Sequence, residues 1–251
     1  MTALPFVALH AFPLNHHLWD AQADALRAAG HEVLTPNLPG FGGTPVPDAE
    51  PNLDVFAASV LAEMDAAGFD RVILGGLSLG GYAAMALLRM APERVAALVL
   101  ADTRSGADTP EAAAGRVATA AQIELASDLG AFAQGMIPAL VGSTTLEGRP
   151  DVVDTVRGWI EAANPAGIAW ALRAMAARPD STDLLAGFDR PALIIWGEED
   201  TLTNRAHQDS MIDALANVEF AVIPGAGHLT AIEAPEAVTG VLLDFVAAQN
   251  G

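Results

Sequence analysis

The sequence predicts an α/β fold in which one parallel sheet is covered by helices on both faces. Six short runs have strand composition and are mostly apolar on both faces, which is typical of buried parallel strands. They span residues 6–10, 31–35, 71–75, 95–101, 191–196 and 218–223. Alanine-rich stretches of helical period lie between them, at residues 17–29, 53–68, 79–91, 204–216 and 234–249. This alternation predicts a doubly wound sheet with right-handed crossovers.

A helical insertion is predicted between the fourth and fifth strands. Residues 104–188 contain apolar stretches of helical period with frequent Gly and Pro, but no clear strand. A chain of 251 residues is long enough for a core that carries such an insertion. We therefore expect a core formed by residues 1–103 and 189–251, and a helical lid formed by residues 104–188.

The chain is strongly acidic, with a formal net charge of -19, and it contains neither Lys nor Cys. A field of this sign repels nucleic acid, anionic membrane surfaces and acidic carrier proteins. The lack of Cys excludes disulfides and thiol catalysis. No apolar run reaches about 18 residues, and the first residues carry no basic segment, so we expect neither a membrane span nor a signal peptide. We expect a cytoplasmic protein.

Residues 71–85 combine a buried strand, a G-x-S-x-G turn and a helix. On such a sharp turn the hydroxyl of Ser78 stands clear of the strand, and side chains at Gly76 and Gly80 would collide with the turn. The N-terminus of the following helix favours negative charge at this place. We therefore predict that Ser78 is a catalytic nucleophile.

A serine nucleophile needs a base and an acid that orients the base. His228 lies in a Gly-rich loop just after the last predicted strand, where an imidazole can reach over the turn that carries Ser78. Asp200 lies in the loop after the preceding strand, and we expect its neighbours Glu198 and Glu199 to be solvated. Asp102 directly follows the strand at 95–101 and is an alternative acid. We predict His228 as the base and Asp200, or in its place Asp102, as the acid.

Acyl transfer also needs two N–H donors aimed at the oxygen of the tetrahedral intermediate. The backbone N–H of Leu79, the residue after the nucleophile, is one candidate. The second candidate is the N–H of Phe12 in the loop after the first strand, because the next residue, Pro13, has no N–H to donate. We predict an oxyanion hole formed by Phe12 and Leu79, with the Phe12 ring lining the pocket.

These motifs together resemble the α/β-hydrolase superfamily over nearly the whole chain outside the lid. The oxyanion loop at residues 10–13 has Ala11 where the family usually has Gly. The turn at residues 38–42, the nucleophile turn at 76–81, the acid loop at 197–200 and the Gly227–His228 pair complete the likeness. The resemblance is strongest to small esterases and enol-lactonase-like hydrolases. Ser at position 78 argues against the dehalogenases and epoxide hydrolases of the superfamily, which use Asp.

One feature departs from the family pattern. Members usually begin with an antiparallel hairpin before the strand that leads to the oxyanion loop. Here that strand starts about five residues from Met1, which leaves no room for the hairpin. We therefore predict about six strands, all parallel, with the strand at 31–35 as a free edge that a second chain could cover in a homodimer.

The lid is expected to wall the substrate pocket above Ser78. Its apolar side chains at helical spacing mainly predict packing, and we select Met136, Trp159 and Trp170 as the ones that line the pocket. Such a pocket would suit a small or medium, mainly apolar ester or lactone. Four lid arginines could bind a carboxylate, but a solvated surface role is expected for each; they are Arg149, Arg157, Arg173 and Arg178.

The sequence thus favours a serine hydrolase that forms an acyl-enzyme on Ser78 and needs no metal or organic cofactor. Two other reactions are compatible with the same three residues: a cofactor-free haloperoxidase or perhydrolase reaction, and hydrolysis of a carbon–carbon bond. A ligand-binding protein that keeps the three residues without turnover is an alternative of another class.

Overall fold

The computed structural model describes residues 3–250, and within them six strands form one sheet in the order β2-β1-β3-β4-β5-β6. Every pairing between neighbouring strands is parallel. The predicted doubly wound sheet of six parallel strands is therefore confirmed. The strands are β1 Phe6–Leu9, β2 Val33–Leu34, β3 Val72–Leu77, β4 Val95–Ala101, β5 Ala192–Gly197 and β6 Val218–Ile223.

Helices occupy the chain between the strands. Short 3-10 helices precede α1 and β4, at His16–Trp19 and Pro92–Arg94. The helices that flank the sheet are α1 Asp20–Ala28, α2 Leu53–Ala66, α3 Leu79–Met90, α10 Arg205–Ala214, α11 Thr230–Glu233 and α12 Pro235–Ala248. Within residues 3–250, no helix combines the length and the apolar character needed to cross a bilayer.

Strands β2 and β3 differ most from the predicted ranges, whereas the ends of β1 and β5 lie within one residue of the prediction and β4 and β6 agree. Strand β3 continues to Leu77, because its pairing with β4 extends to the last residue before Ser78. Strand β2 contains only Val33 and Leu34, since only these two residues pair with β1. Both are half-buried, and β2 is one edge of the sheet, as predicted. An edge this short presents few unpaired backbone groups to a second chain.

Alternating side chains of the strands contribute to two apolar clusters, one on each face of the sheet. Val7 and Leu9 of β1 join the cluster that contains helices α2 and α3. Phe6 and Ala8 join the cluster that contains helices α1 and α12. Because both faces are covered, the central strands β3 and β4 are buried along their whole length.

The segment between β4 and β5 is entirely helical in its secondary structure. Its helices are α4 Pro110–Glu124, α5 Gly130–Leu140, α6 Ser143–Gly148, α7 Pro150–Glu161, α8 Pro165–Ala176 and α9 Thr182–Ala186. Ile168 of α8 packs into one core cluster, and Val156 and Ile160 of α7 pack into the other. Since these helices share the apolar clusters of the sheet, a separate lid at residues 104–188 stays a prediction.

Candidate active site

Ser78 lies on a sharp turn between the end of β3 and the start of α3. Its backbone has φ of 55° and ψ of −112°, a conformation that costs energy for a residue with a side chain. A Cβ at Gly76 would lie 2.2 Å from the backbone of Gly80, and a Cβ at Gly80 would lie 2.1 Å from the carbonyl oxygen of Leu9. The two glycines of the G-x-S-x-G motif are therefore required by close backbone packing.

Ser78, His228 and Asp200 form one hydrogen-bonded chain. Nε2 of His228 lies 2.8 Å from Oγ of Ser78, and Nδ1 lies 2.9 Å from Oδ2 of Asp200. His228 and Asp200 are both buried. Because the ionised Asp200 has no proton to donate, Nδ1 carries the hydrogen and Nε2 is left to accept the hydroxyl proton of Ser78.

Donors from its own loop hold the Asp200 carboxylate in place. Oδ1 accepts the backbone N–H groups of Leu202 at 2.8 Å and Thr203 at 3.0 Å, and the Thr203 hydroxyl donates to Oδ2. Burial alone would raise the pKa of Asp200, but the charge of His228 and the hydrogen bonds from His228 and Thr203 outweigh it. The pKa of Asp200 is therefore held below its ordinary value, and the group stays ionised.

The alternative acid, Asp102, has other partners. Its Oδ1 accepts the N–H of Gly197 at 2.8 Å, and its Oδ2 accepts the hydroxyl and the N–H of Thr230. Within residues 3–250 it makes no hydrogen bond to His228. Burial and the charge of Asp200 raise its pKa well above the ordinary value. Asp102 thus ties the end of β4 to the end of β5 and to the histidine loop.

Two glutamates connect the loops of the site to the inserted helices. Glu233 accepts the N–H of Leu229 at 2.9 Å, and its other oxygen accepts the N–H of Gly142 and the hydroxyl of Thr145, both at 2.7 Å. Glu199 was expected to be solvated, but it accepts hydrogen bonds from residues 143 and 144 at the start of α6. Glu198 is exposed, as expected.

The two predicted oxyanion donors are available. Neither the N–H of Phe12 nor that of Leu79 donates to any residue in the 3–250 range. The loop that carries Phe12 is held by the fully buried His10, whose Nδ1 lies 2.9 Å from the Ala11 carbonyl and whose Nε2 accepts the Leu38 N–H at 3.0 Å. Burial lowers the pKa of His10 to about 4, so its ring is neutral at pH 7.

A cavity of about 500 Å³ lies above Ser78 and His228. The inserted helices α4, α5 and α8 and the loop after β5 contribute to its wall. Its apolar lining consists of Phe12, Phe132, Met136, Leu172, Met175 and Leu202. Of the three lid residues selected from the sequence, the structure places Met136 in this lining.

The structure places the other two, Trp159 and Trp170, away from this cavity. Trp170 packs against Phe56 with the ring centroids 5.1 Å apart, and its indole N–H donates to the Ala49 carbonyl at 2.9 Å. Trp159 is half-buried and borders two other pockets instead. Both were predicted to line the pocket, but helical spacing predicts only that a face is buried and not which surface covers it.

The cavity wall also contains Arg104 and Arg116, two residues that the sequence analysis did not select. The position of Arg104, three residues after the carboxyl end of β4, was a signal that could have identified it, because ligands of α/β sheets bind at that edge. Arg116 lies on α4, and no sequence pattern distinguishes it.

Of the four lid arginines expected at the surface, Arg178 is buried. The other three pair with acidic residues at exposed positions; these pairs are Arg149–Asp151, Arg157–Asp154 and Arg173–Glu124.

One surface cluster offers potential metal ligands. His16, His17 and Asp20 present ligand atoms within 4.8 Å of one another. His17 and Asp20 are exposed, and they already pair with each other at 2.8 Å. This cluster shares no residue with the Ser78 site, and such exposed groups are common without a metal.

Most of the chain matches one known family. The family model of the alpha/beta hydrolase fold matches residues 5–235. The chain belongs to the α/β hydrolase fold family. The resemblance stated from the sequence motifs is thereby confirmed.

Relatives of this α/β hydrolase include esterases and an enol-lactonase. The structure of a thermophilic esterase from Thermogutta terrifontis, with malate bound, superimposes with a TM-score of 0.95 at 35% identity, covering 100% of this chain and 92% of that chain. The enol-lactonase of Burkholderia xenovorans LB400 superimposes with a TM-score of 0.87 at 25% identity, covering 97% and 92%. The pimeloyl-[acyl-carrier protein] methyl ester esterase of Aromatoleum aromaticum is 28% identical over 96% of this chain and 97% of its own length.

Proposed function

We propose that this α/β hydrolase is a serine hydrolase that cleaves a carboxylic ester or lactone through an acyl-enzyme on Ser78. The observation that carries the proposal is the hydrogen-bonded chain from Ser78 through His228 to Asp200 at a cavity. The base is within hydrogen-bond distance of both the nucleophile and the orienting acid, as acyl transfer requires.

The first half of the reaction forms the acyl-enzyme. Oγ of Ser78 attacks the carbonyl carbon while its proton passes to Nε2 of His228, and the electron pair of the carbonyl bond moves onto the oxygen. The N–H groups of Phe12 and Leu79 donate to this oxyanion. When the intermediate collapses, the bond to the leaving oxygen breaks and that oxygen takes the proton from His228.

The second half releases the acid. A water gives a proton to His228 as its oxygen attacks the acyl carbon, and the same two N–H groups stabilise the second oxyanion. Collapse returns the proton to Oγ of Ser78 and frees the carboxylic acid. The lowered pKa of Asp200 keeps a negative charge beside the imidazolium that forms in each half.

The names of the relatives support hydrolysis of an ester or lactone, and the charge of this chain limits the kind of ester. One relative is named for an ester on an acyl-carrier protein. This chain has a net charge of -19 and no Lys, which makes an acidic carrier a poor partner. A free small-molecule ester or lactone is the better match to a cavity of about 500 Å³.

The proposal is tested by labelling with a fluorophosphonate and by ester hydrolysis, each with wild type, Ser78→Ala and His228→Ala. We expect label on Ser78 in wild type alone, and a loss of kcat of at least about a thousandfold in Ser78→Ala. Circular dichroism of each variant controls for folding. A loss below about tenfold in Ser78→Ala would contradict the acyl-enzyme.

A parallel assay separates the other reactions of the same three residues. Wild type is given peroxide with a carboxylic acid, and separately a vinylogous diketone, at concentrations matched to the ester. We expect the ester to be turned over fastest. Faster peracid formation would support the perhydrolase alternative, and faster diketone cleavage would support carbon–carbon bond hydrolysis. Tight ligand binding without turnover would support the ligand-binding alternative.

A further inference from the structure

Three arginines surround one aspartate beside the cavity. Arg104 and Arg116 line the cavity, and Arg178 lies behind them with a side chain that is only 2% exposed. Arg116 donates to Asp108 at 2.7 Å, Arg178 lies 2.9 Å from it, and Arg104 is also paired with it. Asp108 pairs with all three guanidinium groups, and Asp180 interacts with Arg178 only through space. Three positive charges facing these two carboxylates leave the arginine cluster with an excess of positive charge.

The cluster lies close to the nucleophile. The guanidinium of Arg178 is stacked over the ring of Tyr82, 4.2 Å from the centroid. Tyr82 itself lines the cavity, and its N–H donates to the carbonyl of Ser78 at 3.2 Å. The aromatic ring therefore connects the arginine cluster to the first turn of the helix that follows the nucleophile.

Donors of the cluster are left without protein acceptors. Arg104 uses its Nη2 for Asp108, and its Nη1 makes no hydrogen bond within the described chain. Arg116 uses its Nε for Asp108, while its Nη1 meets only the sulfur of Met175 at 3.6 Å. A buried or half-buried guanidinium that lacks acceptors is costly unless a ligand supplies them.

Within residues 3–250, no acidic side chain in the rest of the cavity wall offsets this positive charge. The cavity lining contains no Asp or Glu, although the chain as a whole carries 31 acidic and 12 basic residues. Apolar side chains form most of the remaining lining, so water competes weakly and a charge inside interacts more strongly than at the surface. Apart from His228, Arg104 and Arg116 are thus the only ionisable Arg, His, Asp or Glu side chains that line the cavity, among the residues that the structure describes.

We propose, as a refinement that rests on the proposed function, that the substrate is a carboxylate-bearing ester or lactone, such as the half-ester of a dicarboxylic acid. Its ester carbonyl lies at Ser78 and its carboxylate is bound by Arg104 and Arg116. Arg178 positions the cluster and does not contact the substrate. Guanidinium groups bind carboxylates through paired N–H donors, which also sets the distance between the two ends of the substrate.

The experiment compares two esters that differ in charge but hardly in shape. Monomethyl glutarate carries a carboxylate, and methyl 4-nitrobutanoate carries a neutral nitro group in the same place. Hydrolysis of both is followed in a pH-stat with wild type, Arg104→Gln and Arg116→Gln. In wild type we expect kcat/KM for the anionic ester to exceed that for the neutral ester by about tenfold or more, since charged hydrogen bonds are the strong ones. In each variant we expect this ratio to fall by about tenfold.

Arg173→Gln is the matched control. This substitution also removes one arginine charge from an inserted helix, but Arg173 pairs with Glu124 at the surface and does not line the cavity. We expect its ratio to equal that of wild type. We then measure kcat/KM for half-esters of dicarboxylates with four to seven carbons. The chain length with the highest kcat/KM reports the distance between Ser78 and the two arginines.

The outcomes separate this inference from the proposed function. If Ser78 is labelled and the neutral ester is hydrolysed, but wild type shows no preference for the anionic ester, the carboxylate site is refuted and the serine hydrolase stands. An unchanged ratio in both Arg104→Gln and Arg116→Gln refutes it equally. If neither ester is hydrolysed and no label appears, the proposed function fails. Calorimetric titration with glutarate then tests the carboxylate-binding site by itself. Binding to wild type that is weakened in Arg116→Gln supports it, and no binding to wild type overturns it.

Discussion

Asp102 and Asp200 stand at the carboxyl ends of the neighbouring strands β4 and β5, and both are buried, yet their pKa values move in opposite directions. Burial raises the pKa of both. At Asp200 the imidazole of His228 and the donors of its loop outweigh burial, whereas Asp102 has only the neutral donors of Gly197 and Thr230. The partner of a buried carboxylate, more than its place on the sheet, therefore decides what that carboxylate does.

The largest effect is expected for Asp200→Asn. Because Oδ1 accepts two backbone N–H groups, the amide oxygen takes its place and the amide NH₂ faces Nδ1 of His228. Nδ1 then has to accept, so Nε2 carries the hydrogen and no longer takes the proton of Ser78. We expect kcat for a neutral ester to fall by about 10⁴ at pH 7. A fall of less than tenfold, in a variant with unchanged circular dichroism, would remove Asp200 from the acid role.

Asp102→Asn is the matched substitution on the neighbouring strand. Its backbone φ of 43° suits Asn as well as Asp, so the loop keeps its shape. Since Asp102 does not contact His228, we expect kcat for the same ester to stay within about tenfold of wild type. Steady-state kinetics at pH 7 measures it, with urea unfolding to show that the variant is folded. A loss as large as that of Asp200→Asn would give both carboxylates a direct part in the reaction.

The smallest effect is on the pH dependence of stability, and it has opposite signs for the two carboxylates. In the folded protein the pKa of Asp102 lies above its ordinary value of 3.8. Asp102 therefore makes its full contribution to the free energy of unfolding below pH 3.8, and this contribution is lost as the pH rises through the pKa of the folded state. The folded pKa of Asp200 lies below 3.8, so its contribution is present above that pH and is lost as pH falls through the folded pKa.

Urea unfolding between about pH 4 and pH 8 measures this difference. We expect the free energy of unfolding of wild type, relative to Asp102→Asn, to decrease as pH rises across this range. Relative to Asp200→Asn, we expect the free energy of unfolding of wild type to be constant in the neutral part of this pH range. It should decrease only as the pH approaches the lower end of the range. Parallel curves for the two variants would mean that the two carboxylates have the same environment.

Local chemistry made much of the fold and part of the site predictable. Strands that are apolar on both faces require cover on both sides, which predicted the parallel sheet and the helices that flank it. Helical period without a strand predicted the insertion between the fourth and fifth strands. A strand followed by Gly76, Ser78 and Gly80 predicts a sharp turn that exposes the serine hydroxyl. Both glycines are needed there because each one packs directly against backbone atoms. His228 was identifiable because a Gly-rich loop follows the last strand. Each inference used only residues that are near one another in the chain.

The sequence by itself therefore determined the succession of the strands along the chain, their parallel direction, the turn at Ser78 and the loops that bring His228 and Asp200 to the same edge of the sheet. Only the tertiary structure decided that Asp200 meets the imidazole while Asp102 meets Thr230. It also decided that Arg104 and Arg116, and not Trp159 or Trp170, line the cavity. The physical reason is that helical or strand spacing specifies which face of an element is buried, but the surface that covers that face comes from residues far away in the chain.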